Sequence, residues 1–115
     1  MNEQELDKLF LALGSRTRRR ILDIVRDNPG IPVGQLAAQF DVSRIAVMKH
    51  LAQLQEANLI LSEQDGRSRR LYFNAVPIQQ IHERWTDEYS GFWAGQLSQL
   101  KFLAEKRHNK DGSKQ

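Results

Sequence analysis

The feature that most restricts this chain is the short gap between two apolar stripes in its first half. Val33, Leu36, Ala37 and Phe40 recur at intervals of three and four, one face of a helix only about two turns long. Asp41 and Val42 follow, and then Ser43, a residue type that caps helix N-termini, opens a second stripe of Val47, His50, Leu51 and Leu54. Pro32 suits the start of the first helix, because the opening N–H groups of a helix have no intrahelical partner. A short helix, a turn of three or four residues and a second helix form the helix-turn-helix layout, whose second helix is presented to the major groove of a duplex.

The flanking segments complete a small fold around that pair. Leu6, Leu9, Phe10 and Leu13 share a face of a helix running to about Gly14. Ser15 then caps a helix whose apolar side is Ile21, Leu22, Ile24 and Val25, ended by Asn28-Pro29-Gly30. Between Leu59 and Phe73 the pattern becomes extended, with an Asp65-Gly66 turn signal between two strand-forming runs. Beyond Pro77 a single last helix is expected, carrying Ile78, Ile81, Trp85, Tyr89, Phe92, Trp93, Leu97, Leu100 and Leu103 at spacings of three and four. The predicted order is α-α-α-α-β-β-α, a mainly α winged helix-turn-helix with a small β-hairpin wing. Residues 1–106 are expected to form one DNA-binding and dimerisation domain, and 107–115 a polar flexible tail.

Charge and composition narrow the function classes. The net charge of 115 residues is only +3, yet four of the five residues Arg16–Arg20 and three of the four Arg67–Arg70 are arginine. Clustered cations suit a polyanionic partner. With no cysteine, neither a disulfide framework nor a thiolate metal site is available. No apolar run approaches the roughly 18 residues that span a bilayer, and the acidic N-terminus is unlike a signal sequence, so the chain is expected to be cytoplasmic and to have no membrane partner. No nucleophile–base, phosphate-loop or paired-carboxylate arrangement is visible, and the chain is not expected to be an enzyme.

Several stretches together resemble the ArsR/SmtB-type family of bacterial winged helix-turn-helix regulators. They are Leu11-Ala12-Leu13-Gly14-Ser15-Arg16-Thr17-Arg18-Arg19-Arg20-Ile21-Leu22, Gln35-Leu36-Ala37-Ala38-Gln39-Phe40, and Val42-Ser43-Arg44-Ile45-Ala46-Val47-Met48-Lys49-His50-Leu51. Glu56-Ala57-Asn58-Leu59-Ile60 and Gly66-Arg67-Ser68-Arg69-Arg70-Leu71-Tyr72 look like the family's entry to the wing and the wing itself. The resemblance implies a dimeric repressor, with regulation of its own gene left open, whose N- and C-terminal helices pair across a two-fold axis; Leu6 and Phe10 on the first helix would join that interface. Asp41 stands where the family often has glycine, a swap tolerated because aspartate visits the left-handed region more readily than most residues. Ile45 and Met48 stand where proline or small polar residues are usual, which leaves the operator sequence open.

Within the second helix of the motif, Arg44, Ile45, Met48, Lys49 and Gln53 point outward or sideways. Arg44 is the candidate for a bidentate guanine contact, and Ile45 and Met48 for a thymine methyl. Ser43 is read first as a cap, with a phosphate contact besides. Arg67, Arg69 and Arg70 flank the wing turn, where long cations reach phosphates or a narrow minor groove. Of Arg16, Arg18, Arg19 and Arg20, some are expected to face phosphate and others to pair with Asp23 or Asp27. His50 is read as a half-buried histidine bonded to a backbone or phosphate oxygen. His82 is read as solvent-exposed, and neither a metal site nor a cofactor is expected.

The stripe of Trp85, Tyr89, Phe92, Trp93, Leu97 and Leu100 is read as a dimer interface, with a small-molecule effector site as the other use of those aromatics. Expected partners are therefore double-stranded DNA and a second copy of the chain, with an unidentified effector left open. The functional alternative is a winged-helix protein-interaction module that has lost DNA readout, for which exposed Ile45 and Met48 would be the surface.

Overall fold

A computed structural model describes residues 1–86 and 90–112, with side chains described outside 87–94 and 108–115. Along these residues the order is α1 (Glu3–Leu13), α2 (Arg16–Asp27), β1 (Ile31–Pro32), α3 (Val33–Ala37), α4 (Arg44–Glu56), β2 (Ile60–Asp65), β3 (Ser68–Phe73), α5 (Val76–Thr86) and α6 (Ser90–Gly112). The chain divides into two compact units, Met1–Gln80 and Ile81–Gln115, with the division falling inside α5. No helix of the described residues is long and apolar enough to cross a membrane.

In the first unit α1, α2 and α4 each start at a side-chain cap, whereas α3 starts at Pro32 without one. The Asn2 side chain accepts from the Glu5 N–H at 2.8 Å while Glu5 accepts from the Asn2 N–H at 3.2 Å, a reciprocal box that satisfies two otherwise orphaned donors. Ser15 Oγ accepts from the Arg18 N–H and Ser43 Oγ from the Ala46 N–H, at 3.3 and 3.1 Å, so the serines predicted to cap α2 and α4 do so. Beyond the C-cap Ala57 of α4 comes Asn58, which lies in the left-handed region at φ 60°. There the Leu59 N–H reaches Leu54 O and the Asn58 N–H reaches Gln55 O, both at 3.0 Å, the paired bonds of a Schellman ending.

The core joins Leu6, Leu9 and Ala12 of α1, Ile21, Leu22 and Val25 of α2, Val33 and Leu36 of α3, and Val47, Leu51 and Leu54 of α4 to Leu59, Ile60 and Leu71. Each of the leucine, isoleucine and valine side chains stabilises the fold by about 1.5–3 kcal/mol relative to leaving it in water. On α1 the buried face is Leu6-Leu9-Ala12, and Phe10 is 48% exposed rather than part of the helical stripe read from sequence.

Two architectural expectations change. The sheet has three strands in the order β1-β3-β2, because Ile31 pairs with Leu71 and Pro32 with Arg70. Pro32 is thus the last residue of an edge strand, where its missing N–H costs no ladder bond, as well as the N-cap of α3. In the wing, Asp65 pairs with Ser68, so Gly66 and Arg67 form the two-residue loop and the turn lies one residue later than the Asp65-Gly66 reading. Gly66 takes φ +61° and Arg67 does not share the positive sign, the pattern of a type II′ hairpin. Asp41 has no positive φ either, so the turn into α4 needs no left-handed residue there.

The last helical region is described as α5 and α6 on either side of residues 87–89, and α6 continues to Gly112, past Arg107 where the polar tail was expected to begin. Leu97, Leu100, Phe102 and Leu103 of α6 are all about 60% exposed.

Candidate nucleic-acid interface

One face of the first unit gathers side chains from three elements around a groove of about 580 Å³. Its lining combines Pro32, Val33, Gly34 and Gln35 at the start of α3 with Arg44 and Met48 of α4 and Arg67, Ser68 and Arg69 of the wing. The local reason is helical geometry. With Val47, Leu51 and Leu54 fully buried, Arg44 and Met48 fall on the flank of α4 that faces this groove.

The predicted site residues separate under this geometry. Arg44, Ile45 and Lys49 are exposed, Ile45 at 69%, and Met48 is half-buried. The side chains of Arg44, Lys49, Arg67 and Arg69 make no hydrogen bond or ion pair among the described residues, so their charges are available to a partner. Ser43 is exposed and caps α4 by accepting through Oγ, which leaves its hydroxyl proton free to donate. Gln53 is half-buried on the opposite side of α4 from Met48, and its Oε1 is buried with no hydrogen-bond partner; it is not among the residues lining the groove.

Arg70 departs from the expectation. Its Nε donates to Asp65 Oδ2 at 2.7 Å and its Nη1 to Gly30 O at 3.1 Å, so it ties the wing to the β1 end of the sheet instead of standing free. The Asp65 carboxylate, by hydrogen bond and then by charge, raises the guanidinium pKa further above its ordinary value. The alternation of β3 sets this division, since Arg69 and Arg70 point to opposite faces of the strand.

The arginines of α2 are also mostly committed. Arg18, only 9% exposed, donates through Nε to Ala12 O and through Nη2 to Leu11 O, both at 2.8 Å. Arg19 Nη1 donates to Leu13 O at 2.6 Å. Arg20 donates weakly to Gln39 O at 3.4 Å and lies over the Phe40 ring at 4.9 Å, bracing the segment before the turn into α4. The expected pairing of these arginines with Asp23 or Asp27 does not occur; both acids are taken by Arg26, at 3.6 and 2.9 Å. The hydrogen bond from Arg26 holds the Asp27 carboxyl below the usual carboxylate range.

His50 is half-buried as predicted, but its partner is a side chain: Nδ1 lies 3.1 Å from Arg18 Nη1, in place of the backbone or phosphate oxygen expected. His82 is exposed. Of the residues assigned to a dimer face, Leu6 is 7% exposed and already packed within the core, leaving almost no area to bury against a second chain. Phe10, Trp85, Leu97 and Leu100 are 48–61% exposed, while Tyr89 and the side chains of Phe92 and Trp93 lie outside the described residues.

Comparison with known proteins places this geometry. The family profile described as a helix-turn-helix domain matches residues 13–63, which run from the end of α1 into β2. An uncharacterised HTH-type transcriptional regulator of Bacillus subtilis, YuzN, is 34% identical over 87 residues, 70% of this chain and 95% of its own length. The solved structure of an ArsR-like transcriptional regulator from Rhodococcus sp. RHA1 is 30% identical and superposes with a TM-score of 0.65, covering 88% of this chain and 93% of that one. The chain belongs to the ArsR family of winged helix-turn-helix transcriptional regulators. It is therefore a DNA-binding regulator of transcription and not an enzyme. The Bacillus subtilis transcriptional repressor SdpR is a further relative, 27% identical over 74 residues, 64% of this chain and 81% of that protein.

Proposed function

We propose that this ArsR-family regulator is a homodimeric repressor that reads an inverted-repeat operator, with α4 in the major groove and the wing on the flanking backbone. The observation that carries the reading is the convergence of Arg44, Arg67 and Arg69, none of them internally paired, on a single groove. Arg44 near the start of α4 is suited to the O6/N7 edge of guanine, and Ile45 to a thymine methyl. Lys49, Arg67 and Arg69 are suited to phosphates, which position the protein without reading sequence. Repression is supported by the kinship with SdpR. Dimerisation is supported by the exposed apolar side chains of α6, Leu97, Leu100 and Leu103, whose spacing gives one helix a stripe fitted to another.

Selection of duplexes from a random-sequence library tests the operator, and sedimentation tests the assembly. The expected product is an inverted repeat with half-sites one helical turn, about 34 Å, apart. A Leu97→Asp, Leu100→Asp double variant should sediment as a monomer and lose the selected duplex, while its first unit stays folded. A selected site without two-fold symmetry, or an unaltered dimer in the double variant, would overturn the corresponding half of this reading.

A further inference from the structure

Arg18 is a buried cation with no carboxylate within ion-pair distance among the described residues. Its counter-charge is the negative end of α1, where Leu11 O accepts from the Gly14 N–H and still has a lone pair for the guanidinium. Nε and Nη2 are spent on Ala12 O and Leu11 O, and Nη1 is left to meet His50 Nδ1 on α4. A guanidinium offers only donors and keeps its proton in proteins. His50 Nδ1 must therefore be the acceptor, and the ring proton must sit on Nε2.

The geometry points to Arg18 as a positioning residue for DNA reading: through His50 it struts the reading helix against the C-terminal end of α1 and sets the rotation of α4 about its own axis. The other anchors of α4 described above, Val47, Leu51 and Leu54, hold it by apolar contact, which is non-directional. A hydrogen bond on the flank of the helix is directional, and a rotation of α4 would carry Arg44, less than two turns earlier, away from its base edge. Base-reading groups must be held to within about 0.5 Å, whereas phosphate contacts through long flexible cations tolerate more. The strut should thus govern specificity more than overall affinity. The inference rests on the assignment of α4 as the reading helix.

The test compares wild type, His50→Leu and His50→Asn on two probes, the duplex selected by the wild-type protein and a scrambled duplex of equal length. Leucine removes the acceptor, and the asparagine oxygen can stand near the place of Nδ1. His50→Leu should lose about tenfold in affinity for the selected duplex, the scale of one hydrogen bond to a charged group, with little change on the scrambled one. His50→Asn should recover most of that loss. Nitrogen-15 spectra of the neutral imidazole in the DNA-free wild-type protein should show the Nε2–H tautomer. Equal specificity in all three proteins, equal loss in both variants, or the Nδ1–H tautomer in wild type overturns the strut. A wild-type protein that selects no sequence refutes the reading role of α4 instead, and the spectrum still decides the Arg18–His50 contact.

Discussion

Two arginine clusters, Arg16–Arg20 and Arg67–Arg70, look alike in the sequence and end in opposite environments. In the first, three of the four arginines turn to backbone carbonyls: Arg18 and Arg19 close the C-terminus of α1, and Arg20 braces the segment before the turn into α4. In the second, Arg67 and Arg69 stand unpaired on the groove and only Arg70 turns inward. The difference comes from what lies next to each cluster. A helix end leaves up to four carbonyls without donors, and α1 ends at Leu13, three residues before Arg16, with no basic residue in its own last turn. The wing ends no helix, and its strand alternation sends neighbouring cations to opposite sides.

Substitution of Arg18 probes the inward cluster and carries the largest expected effect. Arg18→Ala removes three hydrogen bonds to a charged donor group and takes from Ala12 O its side-chain donor at a buried site. Urea unfolding should show a loss of about 2–4 kcal/mol with an unchanged m-value. A loss no larger than that of an ordinary surface substitution would mean that the cluster is not structural.

The outward cluster should respond in binding and not in folding. Arg67→Ala and Arg69→Ala should each weaken selected and scrambled duplexes alike, and should make the slope of log K against log salt less negative by about 1 per bound protomer. Melting temperatures should stay at the wild-type value, because neither side chain has a partner within the described residues. If either variant altered base preference while keeping the salt slope, that arginine would be reading sequence through the minor groove instead of neutralising phosphate.

This contrast also marks how far the sequence could be read. The caps Ser15 and Ser43, the apolar stripes of α2 and α4 and the hairpin were legible because local chemistry decides them: a capping hydroxyl, a period of 3.6, a glycine at a tight turn. Strand β1 was not, since two residues become a strand only by pairing with Leu71 and Arg70, about 40 positions away. The inward turn of Arg18 was equally hidden, because it depends on where α1 ends in space and on His50, 32 residues on. Arg44, Lys49, Arg67 and Arg69 were correctly read as open because exposed cations near a predicted turn or helix start need no tertiary partner. Gln53 and Arg70 share their outward-looking positions in the pattern, and only packing shows that they are partly enclosed.

The smallest expected effect belongs to Arg70, and it is the sharpest test of the comparison because Arg70 adjoins Arg69 in the chain. Its partner Asp65 is exposed, and exposed ion pairs contribute little to stability, so Arg70→Ala should shift the melting temperature no more than an ordinary surface substitution. The salt slope of DNA binding should match wild type, since a guanidinium engaged by Asp65 and Gly30 O releases no counterions from phosphate. A modest uniform loss of affinity is compatible with a wing less firmly tied to β1. A slope that fell as far as in Arg69→Ala would show that Arg70 leaves Asp65 for the duplex, and the two clusters would then differ by location rather than by which carbonyls and carboxylates stand beside them.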